Sequence, residues 1–304
     1  MTFYSFGTLM HLDPTSLRLF LSVLEEGTIA RAAEREFIAA AAVSKRISEL
    51  EESLKTKLLT RTNKGVTPTT AGLALSSLAR RALHGLEDVA IQMSEYSSGA
   101  RGIVRVVANI SVITQFLPDD IKRFHAKYPN VQIQLEEKVS TLIIKAVQEN
   151  SADVGIFSNC YAGDNLQVLP YKKDRLTLIV PAGHPLLKKK KLKFEEALNY
   201  DFIGLHQGSN INHIVAHAAD NIQRNMNIKI QVTGFDTLCF MVDAALGIGV
   251  LPVTIARMYS KIFDIRLIPI EEDWSTRSID ICMRSKESLP TAARLFVEHL
   301  TMEQ

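Results

Sequence analysis

Ser44 and Lys45 close the stretch AAAAVSK, four alanines (Ala39–Ala42) and a valine before one hydroxyl and one ammonium. A serine hydroxyl can bond a base edge, and a lysine can neutralise a phosphate. Beyond them, Val43, Ile47, Leu50 and Leu54 recur at i, i+4, i+7 and i+11, which predicts an apolar stripe on a helix from about Ala40 to Leu54. At 3.6 residues per turn the opposite face carries Ala41, Ser44, Lys45 and Ser48, with Ala40 at its edge. That face turns acidic at Glu49, Glu51 and Glu52. Such a gradient suits a helix whose leading end meets phosphates. An ordinary surface helix with a small-residue start fits this stretch equally well.

The flanking elements tip the balance. Asp13-Pro14 is a helix opening, Leu17, Phe20, Leu21 and Leu24 follow at helical spacing, and Gly27 stops the run. Thr28 can cap a second helix, IARAAERE, whose Ala32 and Ala33 permit close packing, and a turn at Phe37-Ile38 leads into the third. Then LLTRTNKGVTP places two short apolar arms around Asn63-Lys64-Gly65, a hairpin signal. Arg61 on its arm and Lys64 at its tip would form a wing within reach of phosphates or a minor groove. Helix, helix, turn, helix, wing is a DNA-binding order. Its candidate contacts are Thr28, Ala40, Ala41, Ser44, Lys45, Ser48, Arg61 and Lys64.

Thr69 or Thr70 caps a further helix reaching about Ser97, in which Leu75, Leu78, Ala82, Leu86, Val89 and Met93 form a stripe that needs a partner. Folding back on its own domain and pairing with a second subunit both satisfy it. Ser97-Ser98-Gly99 and Gly102 read as a hinge.

Beyond residue 100, short apolar runs (103–109, 131–137, 152–157, 175–180, 201–205, 229–235 and 278–284) alternate with amphipathic segments. This predicts parallel α/β layers, in which ligands gather at strand carboxyl ends beside helix starts. Those ends carry Asn109 and Ser111, Ser140 and Thr141, Phe157 and Ser158, Ser209 and Asn210, and Phe235 and Asp236. Their amides and hydroxyls suit a small anionic or polar molecule, although each alone reads better as a helix cap.

The chain's 304 residues are too many for one ordinary core, and 46% hydrophobic with 22% charged residues is a globular composition. A net charge of +2 requires any basic patch to be local. Cys160, Cys239 and Cys282 are too dispersed for zinc or a CxxC pair and fit reduced thiols of a cytoplasmic protein. The opening residues carry no signal-peptide pattern, Met10 would serve as well as Met1 for a start, and no run approaches a membrane span. His213 and His217 lack a third metal ligand, the Lys188–Lys191 run reads as a solvated loop, and Trp274 reads as packing. No phosphate loop, nucleophile elbow or Ser-His-Asp spacing is present, so neither an enzyme nor a cofactor is expected.

The first seventy residues resemble the LysR-type transcriptional regulators through Leu17, Phe20, Val23, Gly27, Thr28, Ala32-Ala33, Val43-Ser44, Ile47, Leu50-Glu51, Leu54, Leu58-Leu59, Arg61, Val66, Thr69 and Ala71-Gly72, in one ungapped register. QFLP, YPNVQIQLEE, ADVGI, DRLTLIVPAGHPL and GIGVLP look like the family's effector-sensing half. The resemblance implies an N-terminal all-α winged helix-turn-helix (1–70), a linker and dimerisation helix (71–99), and an α/β sensor (100–304) similar to periplasmic solute-binding proteins. In that sensor subdomain I covers 100–171 and 267–304, subdomain II covers 172–266, and an effector sits between them. It further implies promoter DNA as partner, a homodimer assembling to a tetramer, and RNA polymerase as a further contact. The chain departs where the family usually shows Ser-Gln-Pro, here Ala39-Ala40-Ala41, and at Glu36 and Pro68, where leucine is common. Without the glutamine, direct readout falls to methyl contact with thymine from Ala40 or Ala41, to Ser44 and Lys45, and to the wing, so DNA shape is expected to weigh more. A transport solute-binding protein and a two-domain enzyme using the same cleft are the competing classes; activity retained by residues 100–304 alone would favour them.

Overall fold

The computed structural model describes residues 12–62, 65–98, 102–189 and 191–302. The chain divides into two compact units near Ser94–Glu95, each described by itself.

In the first unit, Asp13 accepts from the Thr15 and Ser16 N–H groups and opens α1 (Pro14–Glu26), which Gly27 ends at φ 70°. Thr28 caps α2 (Ile29–Arg35) by accepting from the Arg31 N–H. After α3 (Ala40–Ser53), β1 (Leu59–Thr62) and β2 (Gly65–Pro68) pair antiparallel, Thr62 opposite Gly65. Leu19, Phe20, Val43, Ile47 and Leu58 form the core, with the α3 stripe facing inward as its periodicity requires. The wing is tied to the α1–α2 turn by the Val66 N–H, which donates to Gly27 O at 2.8 Å. Gly65 lies so close that a Cβ there would meet Gly27 O at 2.5 Å.

The long helix α4 (Thr70–Ser98) carries the expected stripe, whose surroundings change along its length. Leu75 and Ala79 are buried in the unit's core, whereas Leu73, Leu78, Leu86, Val89 and Met93 are exposed. At about 100° per residue Leu86 and Met93 share the side of Leu75, so the stripe is buried where the helix starts against the domain and outward further along.

In the second unit, β3 (Gly102–Ala108) leads through α5 (Ile110–Gln115) and α6 (Leu117–Lys127) to β4 (Val131–Glu137), then through α7 (Ser140–Gln148) to β5 (Val154–Ser158). These three strands are parallel, as alternation predicts. The strand β6 (Gln167–Pro181) is antiparallel and much longer than the expected 175–180. There follow α8 (Phe194–Ala197), β7 (Phe202–Leu205), α9 (Asn210–Asn221), β8 (Ile228–Val232) and α10 (Phe235–Asp243). After them come β9 (Gly249–Pro252), α11 (Val253–Tyr259), β10 (Ile265–Pro269), β11 (Thr276–Met283) and α12 (Thr291–Met302).

An all-parallel reading fails for β6, β9, β10 and β11. The first half of β6 pairs antiparallel with β11 as far as Arg175, and its second half pairs antiparallel with β10 and β9. β6 thus carries the chain from one sheet to the next, and the segment from β10 to β11 returns it. The partner changes between Arg175 and Thr177, a few residues beyond Tyr171. A crossing strand must run against the strand that returns beside it, and short βαβ periodicity carries no trace of this. Separate cores mark the two lobes, one around Phe124 and Phe296, the other around Phe202 and Leu238.

Candidate functional site

The outward face of α3 begins with exposed Ala40 and Ala41; Ala39, at the cap position, makes no side-chain capping bond. The first amide groups of the helix therefore keep their donors. Lys45 is exposed, 3.8 Å from Glu49. The Ser48 hydroxyl donates back to Ser44 O at 3.0 Å, and Arg61 Nη2 donates to the Ser44 hydroxyl at 3.3 Å. Elsewhere in this unit Arg18, Arg35, Arg46 and Lys57 are each held by a carboxylate. Arg61 reaches a hydroxyl instead, which keeps its charge available to a phosphate. Thr28 is partly exposed at the start of α2; Lys64 lies outside the described residues.

Glu51, read in the sequence as part of an acidic helix end and of the family resemblance, is buried and builds the wing's base. It accepts from Leu58 N–H (2.9 Å), Leu59 N–H (3.1 Å) and Lys57 Nζ (2.7 Å). Burial pushes its carboxyl up, but Lys57 and the two amides outweigh that and hold it below the ordinary value.

In the second unit a cavity of about 360 Å³ opens where α5, α7 and α9 begin. Asn109, Ser111, Ser140, Ser209 and Asn210 line it, so half of the ten expected effector residues meet at one place. Asn109 caps α5 by accepting from the Val112 N–H and donates through Nδ2 to Ser158 Oγ at 3.0 Å. Asn210 Nδ2 donates to Ser158 O at 2.9 Å. The Ser140 hydroxyl also donates to Ser158 O, at 3.4 Å, so the fully buried Ser158 holds three of the lining residues in position. The Ser209 side chain makes no capping bond to α9 although Ser209 is buried.

Four expected residues are placed elsewhere. Phe157 lies in the core between α7 and the sheet, because strand alternation sends it to the face opposite Ile156 and Ser158. Phe235 is buried in the second lobe's core, since β8 ends at Val232 and residue 235 is already helical. Asp236 is exposed in the first turn of α10, and Thr141 is exposed one position past the lining Ser140. None of the four lines this cavity.

Lys138 and His206, passed over in the sequence, do line it. Both sit at strand ends, Lys138 directly after β4 and His206 directly after β7, the signal that could have found them. His206 Nδ1 lies 2.9 Å from Gln207 O, a carbonyl that can only accept, so Nδ1 is the donor in this contact. Lys138 is ion-paired with Glu136 and Glu137 also lines the cavity, so the helix starts and the Ser111 and Ser209 hydroxyls are what it offers a small polar molecule. No group of three or more His, Cys, Asp or Glu able to hold a metal ion occurs among the described residues.

Residues 14–73 match the model of the bacterial regulatory helix-turn-helix protein, lysR family, and residues 97–304 match that of the LysR substrate binding domain. The uncharacterized HTH-type transcriptional regulator YoaU of Bacillus subtilis (strain 168) is 30% identical over 294 residues, spanning 96% of this chain and 98% of that protein. YbhD of Escherichia coli (strain K12), a regulator of the same description, is 26% identical, spanning 93% and 89%. Among solved structures, full-length CbnR complexed with target DNA has a TM-score of 0.73 at 20% identity, covering 96% of this chain and 100% of that one. A full-length variant of OxyR from Pseudomonas aeruginosa has a TM-score of 0.71 at 20% identity, covering 95% of each. With a helix-turn-helix at one end and an effector-binding fold at the other, matched across almost its whole length, the chain belongs to the family of LysR-type transcriptional regulators and is not an enzyme.

Proposed function

We propose that the chain binds promoter DNA through paired copies of α3 and the wing, and that a small polar or anionic effector held by Asn109, Ser111, Ser140, Ser209 and Asn210 sets its transcriptional output. Thr28, Ala40, Ala41, Ser44, Lys45, Ser48 and Arg61, with Lys64, are the assigned DNA contacts. The observation that carries the effector half is the convergence of three helix starts on one cavity between the two lobes that β6 joins. A ligand bridging them favours one closure angle, and it shifts the protein only by its difference in affinity for the two states. The exposed Leu78, Leu86, Val89 and Met93 of α4 supply an apolar face for a second copy, consistent with a dimer that associates to a tetramer. We further assign the protein to the cytoplasm, with RNA polymerase as a contact once it is on DNA; no helix among the described residues is long and apolar enough to cross a membrane.

A thermal-shift screen of the full chain against a metabolite library tests the effector half. A compound that raises Tm in the native chain but not in Ser209→Val supports the assigned cavity. An equal rise in both moves the site elsewhere. Failure to retard any promoter duplex even at low ionic strength removes the DNA-binding half.

A further inference from the structure

Phe37 occupies the turn between α2 and α3, 96% exposed and with its backbone at φ 55°. Both features run against the residue's chemistry. Phenylalanine gains by leaving water, and non-glycine residues at positive φ are enriched in Asn, Asp and His. The turn itself is well fixed: the Phe37 N–H donates to Glu34 O at 3.3 Å and the Ile38 N–H to Ala33 O at 3.0 Å. Ile38 packs against the core of the unit, so the turn sends one apolar side chain inward and leaves the other in solvent.

What covers the ring is indicated by its neighbours. Two residues further on begins the leading turn of α3, where Ala39, Ala40, Ala41 and Ala42 are all exposed. Phe37 therefore stands in the turn that leads directly into the helix assigned to DNA. The exposed cations Arg31, Lys45 and Arg61 belong to the same two helices and the wing. An apolar patch joined to a recognition helix and accompanied by cations matches a polyanion carrying apolar groups in its groove. In the major groove of a duplex that group is the thymine 5-methyl.

We propose that Phe37 is a specificity-determining DNA contact that reads thymine 5-methyl groups beside the alanines of α3. This rests on the assignment of α3 as the recognition helix. The chain compensates for an α3 start without hydrogen-bonding side chains by apolar readout, with the ring supplying most of the contact area.

The test uses the full chain and a duplex that the chain itself selects from a random pool, resynthesised with deoxyuridine for thymidine one position at a time. Uracil keeps every hydrogen bond and removes only the methyl. At a contacted position the native chain should lose affinity by about fourfold per methyl. Phe37→Asn, whose side chain tolerates positive φ, and Phe37→Leu, which keeps an apolar contact, are compared with it. The expected result is that Phe37→Asn weakens binding to the thymidine duplex, that Phe37→Leu restores part of the loss, and that Phe37→Asn no longer responds to uracil at that position. Its salt dependence should match the native chain's, since no phosphate contact is removed. Equal weakening of Phe37→Asn on both duplexes, a uracil penalty unchanged in Phe37→Asn, or an oligomeric state altered by Phe37→Asn without DNA would each overturn the proposal. If the native chain selects no duplex at low ionic strength, the recognition-helix assignment fails instead.

Discussion

Arg61 on the wing donates to the Ser44 hydroxyl on α3 across 3.3 Å, so the wing and the third helix share a hydrogen bond. A guanidinium has donors to spare, and one bond to a neutral hydroxyl leaves its charge and remaining N–H groups for a phosphate. Arg61→Ala should weaken binding to all duplexes alike and lower the slope of log K against log salt by about one. Ser44→Ala should leave the slope intact. A titration by fluorescence anisotropy across a salt series separates the two; an unchanged slope in Arg61→Ala removes the phosphate assignment.

Glu51 should make the first unit sensitive to acid. Its carboxyl is held below the ordinary 4.5, so the folded state prefers it ionised. That contribution is fully present above the unfolded value and is lost as pH falls through the lower folded value. Glu51→Gln should therefore be less stable by about 1–3 kcal/mol at neutral pH, with the gap to the native chain closing in acid. Urea unfolding at a series of pH values reads this directly. A gap that stays constant in acid would exclude ionisation as its source.

Arg277 and Asp174 form a buried ion pair on the strands that cross between the lobes, Arg277 Nε donating to Asp174 Oδ1 at 2.7 Å. Gln115 donates to the same carboxylate at 2.9 Å and to Ser111 O at 3.1 Å, joining this pair to the cavity wall. Asp174→Asn leaves a buried guanidinium without a counter-charge and should cost about 3–5 kcal/mol. Replacing both, Asp174→Leu with Arg277→Met, should recover much of it. Equilibrium denaturation of the single and double variants decides, and equal losses in both would contradict it.

Gly72 at the start of α4 is a packing requirement. A Cβ there would lie 2.1 Å from Leu58 O, the carbonyl that also accepts the Thr69 N–H at 2.9 Å. Gly72→Ala must push the helix start away from the wing, at about 1–3 kcal/mol. Reduced thermal stability with weakened DNA binding is the expected outcome; a variant with native Tm would refute the clash.

Burial pushes the Cys239 and Cys282 thiols up to about 12, whereas Cys160 is only partly buried. Thiolate is the reactive species, so iodoacetamide at mildly alkaline pH should label Cys160 first and the other two only on unfolding. Peptide mass spectrometry reads the order. Early labelling of Cys282 would show that its environment opens in the native state.

Local periodicity and capping chemistry made the first unit legible. Asp13-Pro14, Thr28, the Val43–Leu54 stripe and the Asn63-Lys64-Gly65 turn each specify geometry within a few residues, and α1, α2, α3 and the hairpin lie where those signals put them. Likewise Asn109, Ser140 and Ser209 announced helix starts, and helix starts at strand ends are what the cavity is made of. Long-range pairing left no such marks. That β6 runs on past its expected span, that β11 returns antiparallel beside it, and that Phe157 turns into a core while Ser158 anchors the cavity wall depend on partners more than a hundred residues away in sequence or on a one-residue change of strand face. Glu51 as the wing's anchor, Arg277 as a buried cation and Phe37 as an exposed ring were equally hidden. Residue type predicts the opposite burial for each, and only tertiary packing supplied the hydrogen bonds, the counter-charge and the fixed turn that reverse it.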